Sequence, residues 1–524
     1  MYNILAVDGI AAEGIEILKK NFNVEVHDKI SADELLEIIP KFDALIVRSA
    51  SKVTAEVISR AENLKIIGRA GVGVDNIDVK AATERGIIVI NSPDGNTIAA
   101  TEHTFAMMAA LSRNIPQANK TMHAGGWDRK KFVGVELRNK ILAVIGLGRI
   151  GAGVAKRAQA FEMQVIAYDP FVSAERAESL GVKLMELDEL FKTADFITVH
   201  MPLTKQTENM ITLDKMKLMK PTTRLINCAR GGIINENDLA VAMKEKIIAG
   251  AAVDVFTSEP LAENSPLREI DNLILTPHLG ASTIEAQISV SVDVANGIVD
   301  ALNDRPVATA VNMPHIPAHV LKKLAPYLTL AERLGRTITA LSKEPISNIE
   351  VKINGKIAED NTSLISTSVL KGVLSRALEH VNLVNANLLA QDRGIKLSEI
   401  TSNVADNFAN TVTVTANKNS VTGALFGNEG RIVEINKFRV DVDPHARILI
   451  CPHTNKPGVI GKVGTILAEY GINISSMQVG KTDIGGINLM VLTVDNPISK
   501  AVIDKVKSLE AIFDITLVAF DDAE

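Results

Sequence analysis

The sequence predicts a multidomain α/β chain that opens with parallel, helix-covered sheets and closes with a small α+β module. Three observations carry this. Short apolar runs alternate with helical patterns from Asn3 to Leu302, one of those runs ends in a glycine-rich turn, and the last stretch reads strand, helix, strand, strand, helix, strand. The length of 524 residues suits three or four domains of about 150 residues each.

The elements follow in order. Ile4 to Val7, Ala44 to Val47, Ile66 with Ile67, and Ile87 to Ile90 read as strands, separated by helical patterns such as Ala11 to Asn21 and Ser31 to Ile39. Pro93-Asp94-Gly95-Asn96 breaks the pattern before a long helix from Thr97 to Leu111, and Gly134 to Lys140 leads into a second α/β unit that starts with the strand Ile141 to Ile145. Further strands end at His200, Asn227, Asp254 and Leu275. The helix Ile284 to Leu302 is expected to return the chain to the first domain, and Pro306, Pro314 and Pro317 mark the exit. An amphipathic stretch from Val320 to Leu341, interrupted at Pro326, then precedes a third domain with strands at Ile349 to Ile357, Thr411 to Ala416 and Arg431 to Val440, around helices from Thr362 to Leu389. Ala446 to Phe520 forms the ferredoxin-like end module.

Composition excludes several classes. The 56 basic and 62 acidic residues give a net charge of −6 without the dense basic block that nucleic acid or an anionic membrane requires. Met1 to Asp8 opens on a strand pattern with no basic leader, and no apolar run approaches spanning length, so a cytoplasmic protein is expected. Cys228 and Cys451 are too few and too dispersed for a disulfide scaffold or a zinc site, and no metal is expected.

The run Val144-Ile145-Gly146-Leu147-Gly148-Arg149-Ile150-Gly151 carries the strongest chemical signal. Gly146 permits the tight turn out of the strand, Gly148 lets the backbone approach a pyrophosphate, and Gly151 lets the next helix pack on the sheet. That helix points free N–H groups at the phosphates. Asp169 closes the next strand, Gln164 to Tyr168, 18 residues beyond Gly151. A carboxylate there accepts from both ribose hydroxyls and repels a 2′-phosphate, which favours NAD over NADP.

Three further segments stand at predicted strand ends: Asn227 to Gly232 with Arg230, Thr257 to Pro260 with Glu259, and Thr276 to Ser282 with His278. Oxidation of a 2-hydroxy acid uses these residue types. Imidazole takes the hydroxyl proton near neutral pH, a neighbouring carboxylate orients it, and a guanidinium holds the substrate carboxylate and the developing carbonyl oxygen. Each residue alone has an ordinary reading as a surface side chain, a helix cap or a turn; their joint occurrence downstream of the fingerprint sets the functional one apart.

Gly146 to Gly151 with Asp169, Asn227 to Gly232, Ser258 to Pro260 and Thr276 to Ser282 resemble the signatures of the D-isomer-specific 2-hydroxyacid dehydrogenases. Over essentially its full length the chain is similar to the long branch of that family, whose members oxidise 3-phosphoglycerate with NAD at the entry to serine synthesis. The resemblance implies a Rossmann-like NAD-binding domain (96–289) inserted in a flavodoxin-like substrate domain (1–95 and 290–315). An α+β intervening domain (316–442) and a ferredoxin-like ACT domain (446–524) follow. It also implies Arg230, Glu259 and His278 as the catalytic set, and Arg149, Ile150, Asp169, Cys228, Ala229, Asp254, His278, Leu279, Gly280 and Ala281 as cofactor lining. Val72 and Met201 depart from the threonines of many relatives, so a contact there falls to the backbone.

Arg48, Ser49, Gly71, Val72, Gly73 and Asn96 resemble the family's substrate-binding residues, although Gly71 to Asn76 also reads as a plain strand-to-helix loop. Gly125 to Lys131, with Trp127, reads either as a recruiter of anionic substrate across a dimer interface or as a solvated charged loop. In the end module His453, Asn455 and Asn473 match the family's contacts to the effector L-serine; a purely assembly role is the alternative. A homodimer or homotetramer is expected. The competing functions are a dehydrogenase for another D-2-hydroxy acid, such as glycerate, and an NADH-sensing regulator on the same fold.

Overall fold

The computed structural model describes residues 1–520 except 304, 306, 308, 315, 406, 446 and 482–485. Pro306, and the ends of the last domain at 446 and 521–524, therefore lie outside the described residues.

The first sheet holds β1 (Asn3–Val7), β2 (Asn23–His27), β3 (Ala44–Val47), β4 (Ile66–Arg69) and β5 (Ile88–Asn91), all parallel in the order β2-β1-β3-β4-β5. This is the flavodoxin-like order. The central strands are apolar on both faces because helices cover both, and Ile4, Ala6, Ile46, Ile66 and Ile90 are fully buried. The sequence reading had no strand at β2; it lies on the edge, where Asn-Val-Glu-Val-His needs no apolar run.

The helix Ile284–Leu302 seals one face of this sheet with Val290, Val294, Ala295 and Ile298. It crosses the helix Ala12–Lys19 so closely that a Cβ on Gly14 would sit 2.8 Å from the Ser291 carbonyl oxygen. Residues 289 and 290 lie within this one helix, whose N-cap is Thr283. The returning segment is pinned by an Ile90 to Ala310 bridge and by Asn312, whose Oδ1 accepts from Val89 N–H.

The inserted domain is a seven-stranded parallel sheet of β6 (Ile141–Ile145), β7 (Gln164–Tyr168), β8 (Lys183–Leu184), β9 (Phe196–Val199), β10 (Arg224–Asn227), β11 (Gly250–Val253) and β12 (Leu273–Leu275). Their order, β12-β11-β10-β9-β6-β7-β8, reverses between β6 and β9. In folds of this order dinucleotides bind outside the carboxyl ends of the strands at that switch point.

The intervening domain packs the helix Ala318–Leu341 on a six-stranded mixed sheet. The helix runs unbroken through Pro326, against the expected interruption. Its buried stripe of Leu324, Leu330, Leu334 and Ile338 offsets the roughly 3 kcal/mol a helical proline costs. The single strand expected over Arg431 to Val440 is a hairpin, Glu429–Ile435 and Phe438–Val442, because Asn436 (φ 48°) and Lys437 (φ 68°) form its left-handed turn. Lys396–Ser402 and Asn419–Phe426 are additional strands that polar residues conceal in the sequence.

The end module is strand Arg447–Thr454, helix Val459–Glu469, strands Ile474–Lys481 and Ile487–Val494, helix Lys500–Lys507 and strand Thr516–Val518, in one antiparallel sheet. A hydrogen bond joins the intervening domain to the first, and an ion pair beside a shared apolar core joins it to the end module. Asn382 donates to the Gly86 carbonyl at 2.7 Å, and Lys343 pairs with Asp514 at 2.5 Å.

Candidate active site

The fingerprint is built as its glycines require. At Gly146 (φ 96°) a Cβ would lie 2.7 Å from the His200 carbonyl oxygen, and at Gly151 it would lie 2.0 Å from the Gly146 carbonyl oxygen. Both positions are therefore closed to any side chain. Gly148, by contrast, faces open space and caps the helix Arg149–Ala160, whose first N–H groups have no side-chain partner. An open glycine at an uncapped helix start fits a pyrophosphate. Asp169 is anchored by Leu147 N–H on Oδ2 and Phe171 N–H on Oδ1, each at 2.8 Å, and keeps lone pairs for ribose hydroxyls. Arg149, the first residue of that helix, bridges to Asp94 at 2.5 Å, and Ile150 follows it.

Downstream, three loops leave adjacent strand ends. After β10, the buried Asn227 closes the loop on itself: its Oδ1 accepts from Ala229 N–H at 3.0 Å and its amide donates to the Arg230 carbonyl at 2.9 Å. Arg230 reaches the first domain, with Nε 3.2 Å from Asp75 and Nη2 lying over Gly73, where a Cβ would be 2.2 Å away. Gly231 passes the Phe256 backbone, which joins this loop to the next. There Glu259 Oε1 accepts from Phe256 N–H at 3.0 Å and Oε2 lies 2.8 Å from His278 Nδ1. Burial raises the Glu259 carboxyl, but the His278 and Phe256 hydrogen bonds outweigh it and hold the group below its ordinary range.

His278 has φ 55°. Its N–H donates to the Asp254 carbonyl at 2.9 Å, while Asp254 Oδ1 accepts from Leu279 N–H at 2.8 Å and Oδ2 from Gly280 N–H at 2.9 Å. Ala281 follows at the turn. Among the described residues, His103, Cys228 and Asp254 form one group of potential metal ligands within 4.8 Å. The Asp254 oxygens there are already engaged, and burial, then the Asp254 charge, pushes the Cys228 thiol up to about 12. Cys228 is thus a packed thiol.

On the first domain, Asp8 clamps the loop that carries Arg48 and Ser49: Oδ2 accepts from Arg48 and Ser51 N–H, each at 3.0 Å, and Oδ1 from Ser51 Oγ at 2.7 Å. Asn76 donates to the Arg48 and Ser51 carbonyls. The Val72 carbonyl is taken by Asn91, leaving its N–H as the backbone donor, and Met201 is nearly buried. Gly71 lies over Arg69 Nη1. Arg69 was not among the residues expected from sequence. Burial first, and then the charge of Arg230, lowers its guanidinium to about 10. Arg69 Nε and Asn96 Oδ1 are buried without hydrogen-bond partners. A neighbouring glycine pair was the sole sequence signal for Arg69.

In the end module, His453 is buried, its Nδ1 lies 2.8 Å from the Thr454 carbonyl, and its Nε2 has no partner. Asn455 is nearby, with Oδ1 accepting from Asn488 at 3.0 Å. Asn473 is elsewhere. His453 stands opposite Asn488, whereas Asn473 bonds to Asp495 beyond the other end of the same strand. One chain does not gather the three.

The family model for the NAD binding domain of D-isomer specific 2-hydroxyacid dehydrogenases matches residues 105–280. Those for the D-3-phosphoglycerate dehydrogenase intervening domain and the ACT domain match 323–436 and 448–511. The chain is 47% identical to D-3-phosphoglycerate dehydrogenase of Synechocystis sp., over 98% of this chain and 94% of that one. It is 45% identical to the enzyme of that name from Methanocaldococcus jannaschii, over 99% and 100%. A solved Thermus thermophilus protein, 30% identical, superposes with a TM-score of 0.56 over 59% of this chain and 99% of its own. The chain belongs to the D-isomer specific 2-hydroxyacid dehydrogenases and, within them, to the D-3-phosphoglycerate dehydrogenase family. It is an NAD-binding oxidoreductase with an ACT domain.

Proposed function

We propose that the chain oxidises 3-phospho-D-glycerate to 3-phosphooxypyruvate, the first step of L-serine synthesis. The observation that carries this reading is the 2.8 Å His278–Glu259 pair, with Arg230 on the neighbouring loop reaching Asp75 and the charge of Arg69 on the first domain. The Gly146 to Gly151 turn and Asp169 would hold NAD, which would supply the hydride acceptor for the oxidation at C2. His278 Nδ1 donates to Glu259, so Nε2 is the atom free to take the hydroxyl proton. Arg230 holds the carboxylate and steadies the oxygen that becomes a carbonyl. Arg48, Ser49, Arg69, Asn96 and the N–H groups of Gly71 to Gly73 serve the remaining anionic oxygens, which favours the phosphorylated acid over glycerate.

The proposal extends to assembly and control. The helix Ile115–His123 buries no residue, and Ile115, Met122, Trp127 and Val133 are exposed beside the basic run Arg129 to Lys131, which supports a homodimer formed there. His453 and Asn455 at one end of the ACT sheet and Asn473 at the other suit an L-serine site completed by a second copy. No helix among the described residues is long and apolar enough to cross a membrane. Both cysteines are free thiols, which suits the cytoplasm. The test follows NADH absorbance with 3-phosphoglycerate and with D-glycerate, wild type against H278A. Faster turnover of glycerate, or equal rates in both proteins, would reject the reading.

A further inference from the structure

His103 lies on the helix Thr97–Ser112, outside every segment so far given a chemical role. Its Nε2 stands 3.2 Å from Asp254 Oδ1, and Asp254 is fully buried. A buried carboxylate is tolerated only when its lone pairs are filled. Three of its donors, Thr276 Oγ1, Leu279 N–H and Gly280 N–H, come from the loop that carries His278. His103, 3.2 Å away, is the partner that comes from another element, so the ring stands between the carboxylate and the helix scaffold while the loop hangs from the carboxylate.

We propose that His103 is a positioning residue for the cofactor: by donating to Asp254 it ties the 276–280 loop to the long helix and sets the loop's cofactor-facing backbone. This rests on the reading of residues 278–281 as cofactor lining. Thr276 Oγ1, 3.4 Å from the same ring nitrogen, and the Cys228 thiol are the other polar groups gathered at this point. The thiol is held protonated by burial and supplies no competing charge.

A glutamine can place its amide nitrogen where Nε2 stands, whereas leucine fills the space without a donor. NADH binding is titrated by fluorescence in the full-length wild type, H103L and H103Q, with thermal melts beside it. H103L is expected to weaken NADH binding about tenfold, the equivalent of about 1.4 kcal/mol, and H103Q to recover to within about threefold of wild type. Binding by H103L within twofold of wild type, or H103Q as weak as H103L, overturns the inference while leaving the dehydrogenase reading intact. A wild type that fails to bind NADH takes both down.

Discussion

Replacing Glu259 by glutamine isolates the carboxylate's part in catalysis without changing its shape. In the native protein Oε1 accepts from Phe256 N–H and Oε2 faces His278 Nδ1 at 2.8 Å. The backbone donor keeps the glutamine oxygen on its side, so the amide NH₂ turns toward Nδ1 and drives the imidazole proton to Nε2, the atom needed as base. The charge is lost as well. At 2.8 Å a charge pair is worth about 6 kcal/mol at an effective dielectric of 20 and about 1.5 kcal/mol in water. The His278 and Glu259 side chains are 45% and 38% exposed, which places the pair toward the lower part of that range, about 2–3 kcal/mol. One decade of rate is about 1.4 kcal/mol, so kcat should fall about a hundredfold. KM for 3-phosphoglycerate should hold, since Glu259 grips no substrate oxygen. Steady-state NADH formation at pH 8 measures both. A kcat within threefold of wild type, with an unchanged melting temperature, would refute the orienting role.

G151A drives a methyl group toward the Gly146 carbonyl, 2.0 Å from the new Cβ, and should cost about 1–3 kcal/mol together with NADH affinity; unchanged melts and titrations would contradict it. At Asp514, burial raises the carboxyl but Lys343 and Lys507 outweigh it and lower it, so its folded value lies below its unfolded one. Its stabilisation is complete above the ordinary carboxylate value of about 4 and is lost as pH falls through the depressed one. Both lysines are largely exposed, so wild type should out-melt D514N by about 2 °C at pH 7, with the gap shrinking as pH falls below about 4 and through the depressed value. A gap that persists in acid would assign the effect to packing.

The sequence made the buried strands and the fingerprint legible because both faces of β1, β3 and β6 are covered, so their apolar runs are continuous. It concealed β2 and Lys396–Ser402 because an edge strand keeps one side in water. The hairpin at Asn436 and Lys437 escaped notice because lysine is an unusual occupant of a left-handed turn. Arg230, Glu259 and His278 were readable as motifs; the clamps beneath the site were not. Asp8, Asn76 and His103 act through contacts between residues far apart in the chain, which local patterning does not encode. For the ACT residues, the residue types were visible but their separation along one strand was not.

The small contact at Gly86 has a wider reach than its size suggests. That glycine sits at φ 71°, and a methyl group there would meet the amides of Asn382 and Asn385 at 2.6 and 2.8 Å. The turn is thus barred to other side chains twice over, by its own backbone and by the neighbour that leans on it. A bulky residue at this single turn would push away the Asn382 amide and remove the hydrogen bond by which the intervening domain leans on the first sheet's turn.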